Sequence, residues 1–453
     1  MRKVGIVGAG ITECRGRWIE ATYWDLFQQA TRRACEDAKM TTDEFDSVVY
    51  GIYNDIFEHQ AIPESSLTGL IGMANKPGTR VTSGGATGFY AMRTAYMEVA
   101  SGVSDCVLCI GGEKATDCFD PRSKTATPMV IDTIAKSWDP FFEYPLGATA
   151  SDAYMQLCMG YDDSYPGDIG DPEVRAKIVE ILCHSGNRNP FAQRRHETVT
   201  AEQVMNSRWI IAPFLRLLEA CMYTEGAGAI VFASEKKTEE ICERTGQPPV
   251  WVRGVGAANE SYSPGRGGNY KPLDSIVSDH IAAYRAYEAA GVKPSDIKII
   301  EAHDAFVAQL MITMGELGFV PIGRTRTLID ENIMVDPKTL RDDEAPPDGQ
   351  LLINPSGGLI FGGHFVGGSN MFSAWSCRRE MINRQVPLGM VHGTGAINAV
   401  FGGAMVLELG DGGARSESRQ GSPFYPRTST CRARSARSRA GMAGHTCNSP
   451  LTW

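Results

Sequence analysis

Thr82-Ser83-Gly84-Gly85-Ala86-Thr87-Gly88 is a polar, glycine-rich loop directly before residues 86–99, whose apolar spacing predicts a buried helix. Two further loops share its character. Glu301-Ala302-His303-Asp304-Ala305-Phe306 follows an apolar run at 297–301, and Asn354-Pro355-Ser356-Gly357-Gly358 leads through Gly363-His364 to Gly367-Gly368. Each sets polar groups at the C-terminal end of a strand-like run, where open α/β sheets usually build their sites. Taken singly, a glycine cluster only permits a turn, and one histidine at a strand end is more often a satisfied structural group. Three such loops in one chain form a constellation.

On either side of these loops, short apolar runs alternate with longer amphipathic stretches, the pattern of strands connected through helices in a largely parallel sheet. The first series predicts strands at 3–7, 47–50, 106–110 and 228–233, with helices at 24–39 and 86–99. The second predicts strands at 250–255, 297–301, 387–392 and 403–409, with helices at 276–290 and 305–317. Because the second series echoes the first, the reading is an internal duplication. Residues 1–117 and 216–245 form one half and 246–412 the other. Residues 118–215, rich in Pro, Asp and aromatics, read as an irregular loop insertion lying over a site. Residues 413–453 scatter Arg415, Arg419, Arg427 and Arg432 among Ser, Pro and Gly without apolar periodicity, and read as a disordered basic tail.

Composition narrows the function. A length of 453 residues exceeds what one core usually fills, and 43% apolar with 21% charged residues is ordinary for a globular protein. A net charge of −9 leaves the chain without the concentrated basic footprint of a nucleic-acid binder. The sequence shows neither a leader's apolar core nor a long apolar run, so no membrane association and a cytoplasmic location are expected. No metal is expected either. Cys106 and Cys109 have CxxC spacing, but they lie in a predicted strand, where residues three apart point to opposite faces. Gly5, Gly8 and Gly10 suggest a dinucleotide loop, yet Glu13 replaces the third glycine and no acidic residue closes the next strand.

Together and in order, the three loops resemble the thiolase family, especially its sterol-carrier-protein-type branch. There a Cys-Ala-Thr-Gly nucleophile loop, a His-Asp-Cys-Phe loop and an Asn-Pro-Ser-Gly-Gly…Gly-His-Pro loop converge. Gly111-Gly112-Glu113-Lys114, Thr224-Glu225-Gly226-Ala227 and Phe401-Gly402-Gly403-Ala404 extend the likeness over residues 3–410. The resemblance implies a thiolase-like α/β fold, its two duplicated βα halves packed as α/β/α/β/α layers with the loop insertion in the first half. It also implies acyl-CoA substrates, with coenzyme A as part of the substrate and no bound cofactor, and a homodimer in which the first-half sheets pair across a two-fold axis.

The departures shape the expected chemistry. Gly85 stands where the family's nucleophilic cysteine falls, so no thiolate can form there. Phe365 replaces the proline after the histidine, and Gly393, Thr394 and Asn398 lie where a second cysteine is expected. Ser83 places a hydroxyl two residues away. By resemblance His303 is the oxyanion-hole donor and His364 the base, with Asp304, Gly363 and Asn398 supporting their loops. Tyr144, Pro145, Tyr154 and Met155 are expected on the acyl-pocket wall, and Arg266 with Lys271 beside the coenzyme A phosphates. The expected activity is formation or cleavage of a carbon–carbon bond, by retro-Claisen or retro-aldol chemistry, without an acyl-enzyme. The alternative is a degenerate subunit that binds acyl-CoA or scaffolds a partner. Thiolase-fold aldolases that shorten steroid side chains are a further resemblance. They usually work with a small OB-fold, zinc-ribbon partner, and they carry tyrosines where this chain has His303 and His364.

Overall fold

The structure is a computed structural model that describes residues 1–115, 127–261 and 273–410. The first half opens with β1 (Val4–Ile11), every residue of which is buried, followed by α1 (Tyr23–Asp37). Thr22 and Asp25 form a capping box that satisfies the first free N–H groups of α1. Then come β2 (Ser47–Gly51), β3 (Gly78–Val81), α2 (Thr87–Ser101) and β4 (Cys106–Glu113). Gly102, at φ 90°, ends α2 in the left-handed conformation that favours glycine.

The insertion departs from the irregular loop expected at 118–215. Its described part holds α3 (Thr127–Ala135), α4 (Ala150–Ser164), α5 (Pro172–Arg188) and α6 (Ala201–Asn206). Pro172 sits at the first helical position of α5, where its missing N–H costs nothing, and Asp171 caps the same end. The Pro and Asp residues therefore mark helix starts here. The chain returns through β5 (Gly226–Ser234) and α7 (Glu235–Thr245).

The second half comprises β6 (Val250–Asn259), α8 (Val277–Ala290), β7 (Ile299–Glu301), α9 (Val307–Glu316), β8 (Leu352–Ile353), α10 (Ser369–Arg384), β9 (Leu388–Gly395) and β10 (Phe401–Leu409). In space the first-half strands run β3-β2-β4-β5-β1 and the second-half strands β8-β7-β9-β10-β6. Numbered within its own half, each set has the same order, and the directions match too. In both halves the first three neighbours are parallel and the last two pairings antiparallel. The repeat is therefore a repeat of topology, and each half is mixed where a largely parallel sheet was expected. The reason is that the last strand of each half returns beside the first, as its antiparallel neighbour.

The halves meet at β1 and β6, antiparallel over Gly5–Trp251 and Ile6–Val250. Between the sheets lie α2 and α10. Phe89, Met92, Met371, Ala374 and Met381 from these helices pack in one buried cluster with Val49, Val107 and Ile230 of the first half and Ile299, Val391 and Met405 of the second. Helix α1 covers the outer face of the first half, and α8 and α9 lie on that of the second. Cys106 belongs to the outer cluster and Cys109 to the central one, so the two thiols do face opposite ways.

Candidate active site

The three loops converge at the N-terminus of α2. Gly85 lies in the turn Gly84–Ala86 just before that helix. The Thr87 hydroxyl accepts the Ser83 N–H at 2.8 Å and donates to Gly84 O at 2.7 Å, which fixes the turn. A Cβ placed on Gly85 would stand 3.0 Å from His303 Cε1, 3.3 Å from His303 Nε2 and 3.0 Å from Thr394 O. The space beside Gly85 is thus framed by His303 and the end of β9, and the His303 ring itself closes over it. The Ser83 hydroxyl instead donates to its neighbour Thr82 O at 2.7 Å, directed along its own backbone.

His303 and His364 are brought together, their rings 5.4 Å apart and nearly perpendicular at 87°. His303 is 3% exposed, and its Nδ1 is buried without a hydrogen-bond partner. Burial first, then the neighbouring His364 and His392, hold its pKa well below the ordinary histidine value. Burial also lowers His364 to about 4. Both imidazoles are therefore neutral near pH 7, so one can donate a hydrogen bond while the other accepts a proton. His364 is held by its N–H, which donates to the Thr224 hydroxyl at 2.8 Å, and by Nδ1, 2.9 Å from Ser369 Oγ.

Asn354 explains how the His303 loop keeps its shape. Its Oδ1 accepts the Ala302 N–H at 2.6 Å, and its Nδ2 donates to Ala302 O at 3.0 Å, so one side chain replaces a strand neighbour at the end of β7. Ser356 reaches the same strand, with its N–H and hydroxyl both donating to the Glu301 carboxyl at 2.9 and 2.7 Å. Asp304 crosses the other way and accepts the Leu359 N–H at 2.6 Å. Residues Gly358–Gly362 form a π-helical turn. At Gly358, φ is 61° and a Cβ would collide with the Asp304 carboxyl, so this position requires glycine.

Glu301 yields a stability prediction. Burial pushes its carboxyl up to about 7, whereas an unfolded glutamate titrates near 4.5. A raised folded pKa means that its stabilising contribution is complete below about 4.5 and fades as pH rises through about 7. Glu301→Gln mimics the protonated acid in shape and hydrogen bonding. Melting temperatures of the two proteins should match near pH 5, with the variant becoming the more stable by pH 8. A constant gap between the two curves would show that Glu301 does not titrate in this window.

Other expected residues fall in several places. Tyr154 reaches the site, its ring 5.4 Å from Phe306 and its hydroxyl 3.5 Å from Ala396 O. Tyr144 packs with Trp138 and Ala153 against Ile397 and donates to Asp132 at 2.6 Å, so it backs the Ala396–Ala399 loop from the side of the insertion. Met155 is 2% exposed within the core shared by α4, α5, α8 and α9. Asn398 is buried at φ 55° in the same loop, which follows Thr394 and Gly395, and Gly363 at φ 137° turns the chain into His364. Arg266, Lys271 and the basic tail lie outside the described residues. Sequence reading did not single out His392 or Asp279, both fully buried behind His303. A histidine inside a strand and an aspartate opening a helix carry no local pattern that would mark them.

This arrangement of duplicated sheets, and of loops meeting at a buried helix N-terminus, is that of a thiolase fold. The chain belongs to the thiolase family: the thiolase N-terminal domain matches residues 4–158 and the thiolase C-terminal domain-like model residues 275–407. Among its relatives, an acetyl-CoA acetyltransferase of Methanothermobacter thermautotrophicus is 29% identical over 412 residues, 88% of this chain and 99% of that protein. Sterol carrier protein 2 of Bos taurus is 30% identical over 421 residues, 90% of this chain and 72% of that protein. A solved structure described as an Ltp2-ChsH2(DUF35) aldolase superposes with a TM-score of 0.70 at 21% identity, over 90% of this chain and 98% of that one, a likeness of fold. Among the described residues no helix is long and apolar enough to cross a membrane.

Proposed function

We propose that this chain acts on acyl-CoA thioesters, cleaving or forming a carbon–carbon bond without a covalent cysteine intermediate. The observation that carries the reading is the pair of neutral imidazoles 5.4 Å apart beside Gly85. Gly85 stands in this reading where other family members hold their nucleophile. For a β-hydroxyacyl-CoA, His364 takes the β-hydroxyl proton and the Cα–Cβ bond breaks, releasing a carbonyl product. The electron pair passes into an enolate, whose oxygen receives the His303 Nε2–H. Protonated His364 then returns its proton to Cα, giving the shortened acyl-CoA. With a β-ketoacyl-CoA, His364 activates water instead, and the products are a carboxylic acid and the same enolate. Base function at Nε2 of His364 requires the tautomer in which Nδ1–H donates to Ser369 Oγ.

The buried, unpartnered Nδ1 of His303 supports the donor role. Buried N–H groups are rarely left orphaned, so the proton is better placed on Nε2, facing the site. The test is turnover of β-hydroxyacyl-CoA and β-ketoacyl-CoA panels by the wild type and His364→Ala. Release of a shortened acyl-CoA by the wild type, abolished in the variant, is the expected outcome. Equal rates in both would remove His364 from the chemistry.

One observation favours a second reading. The His303 ring packs so closely on Gly85 that a single added carbon would stand at 3.0 Å, which suits a subunit that binds acyl-CoA or scaffolds a partner without reacting. Tight acyl-CoA binding with no turnover of any panel member, alone or with a partner protein, would select it. The same proposal includes a cytoplasmic homodimer joined through β3, the open edge of the first-half sheet. A small OB-fold, zinc-ribbon partner is part of it too, supported by the two-component name of the Ltp2-ChsH2(DUF35) neighbour.

A further inference from the structure

Behind His303 lies a closed, buried polar circuit that begins and ends on its backbone. The His303 N–H donates to His392 Nδ1 at 3.3 Å. His392 Nε2 stands 3.1 Å from Asp279 Oδ1, within ion-pair distance though not aligned as a hydrogen bond, and neither atom hydrogen-bonds elsewhere. Asp279 Oδ2 accepts the Thr313 hydroxyl at 3.3 Å, Gln309 Nε2 donates to that hydroxyl at 3.1 Å, and the same Nε2 donates to His303 O at 3.1 Å. His392, Asp279, Thr313 and Gln309 are all 0% exposed. Three elements contribute: β9 supplies His392, the first turn of α8 supplies Asp279, and α9 supplies Gln309 and Thr313.

We propose that His392 and Asp279 are positioning residues that lock the backbone of His303 and thereby aim its imidazole at the space beside Gly85. The functional part of this inference rests on His303 being the oxyanion donor. The chemistry of the circuit is directional. Because His392 Nδ1 accepts a backbone N–H, its proton must sit on Nε2, and only a group that accepts there holds that tautomer. Asp279 is such a group, and the N-terminus of α8 favours its negative charge. The flanking β9 residues Met390 and Val391 are apolar.

Asp279→Asn and two changes at position 392 test the inference. An amide at 279 can turn either face to His392, so the Nε2–H tautomer is no longer enforced. His392→Leu removes the acceptor altogether, while His392→Asn returns a carbonyl oxygen near the place of Nδ1. Asp279→Asn and His392→Leu are expected to speed hydrogen exchange at the His303 amide and to shift its ring 15N signals away from the Nε2–H pattern. They should also lower kcat by about 100-fold, the scale of a misplaced catalytic group, with KM little changed. His392→Asn should recover most of the wild-type exchange and ring signals. Wild-type exchange and ring signals in a folded Asp279→Asn protein would overturn the inference. The exchange and ring-signal arms need no turnover, so an inactive wild type would count against the proposed reaction while leaving these arms to decide the positioning role. Should His392→Leu fail to fold, Asp279→Asn and His392→Asn carry the test.

Discussion

His303→Ala is expected to slow cleavage of a β-hydroxyacyl-CoA by about 10²- to 10³-fold, chiefly through kcat, because loss of one oxyanion donor in a preorganised site has an effect of this size. The substrate carbonyl needs the His303 Nε2–H most when charge gathers on its oxygen, so KM should move far less than kcat. The fold should survive. Asn354 clamps residue 302 on both its N–H and its carbonyl, and Gln309 and His392 hold the backbone of residue 303, all independently of the imidazole. A kcat within twofold of wild type, in a variant with an unaltered near-UV spectrum, would remove His303 from the mechanism. Steady-state kinetics with circular dichroism on the same preparations make the check.

Gly85→Cys should change the chemistry rather than its rate. Gly85 is outside the left-handed region that its neighbour Gly84 occupies at φ 60°, so the backbone accepts a side chain. The new Cβ would stand 3.0 Å from His303 Cε1, and that ring must yield by a few tenths of an ångström. It can do so without breaking a hydrogen bond at Nδ1, which makes none. A thiol there would sit at the N-terminus of α2, which lowers a cysteine pKa, with neutral imidazoles beside it to take its proton and activate it as a nucleophile. Among the described residues the native thiols are poor competitors, because burial pushes Cys35 up to about 11 and Cys158 and Cys221 up to about 12. Incubation with acyl-CoA should therefore add one acyl group, found at residue 85 by peptide mass spectrometry, while the wild type stays unmodified. A variant that remains unacylated, with position 85 no more reactive toward iodoacetamide than Cys35, would contradict the placing of this turn beside the thioester.

Much of the fold is legible because apolar periodicity reports burial directly. The runs at 47–50, 106–110, 228–233 and 403–409 lie inside observed strands, and 24–39 and 276–290 match helices to within two residues at each end. Periodicity could not reveal β3 and β8, four and two residues long, which are strands only because β2 and β7 pair with them. Helix α10 was missed because it is polar by composition. Arg378 is buried in it through the distant Asp37, and Arg384 through the distant carbonyls of Arg341 and Glu344 together with Glu380 one turn away. The insertion misled for a similar reason. Its Pro and Asp residues read as loop, but Asp171-Pro172 starts a helix.

At the site, the glycines and histidines were readable because their spacing follows a family pattern. Asn354 and Ser356 could be named in sequence, but their tasks could not, since clamping Ala302 and meeting Glu301 depend on β7 and β8 being neighbours. His392 and Asp279 lie 113 residues apart in sequence and gain meaning only where β10 carries β9 up to the start of α8. Polar groups whose partners are far away in the chain are what a one-dimensional reading loses.

The most direct measurement is a crystal structure of the wild-type protein with a bound acyl-CoA. The thioester oxygen is predicted within about 3 Å of His303 Nε2, with His364 on the other side of the reacting carbons and no bond from any protein atom to the acyl group. A thioester lodged away from both rings, or covalently attached to a side chain, would contradict the account.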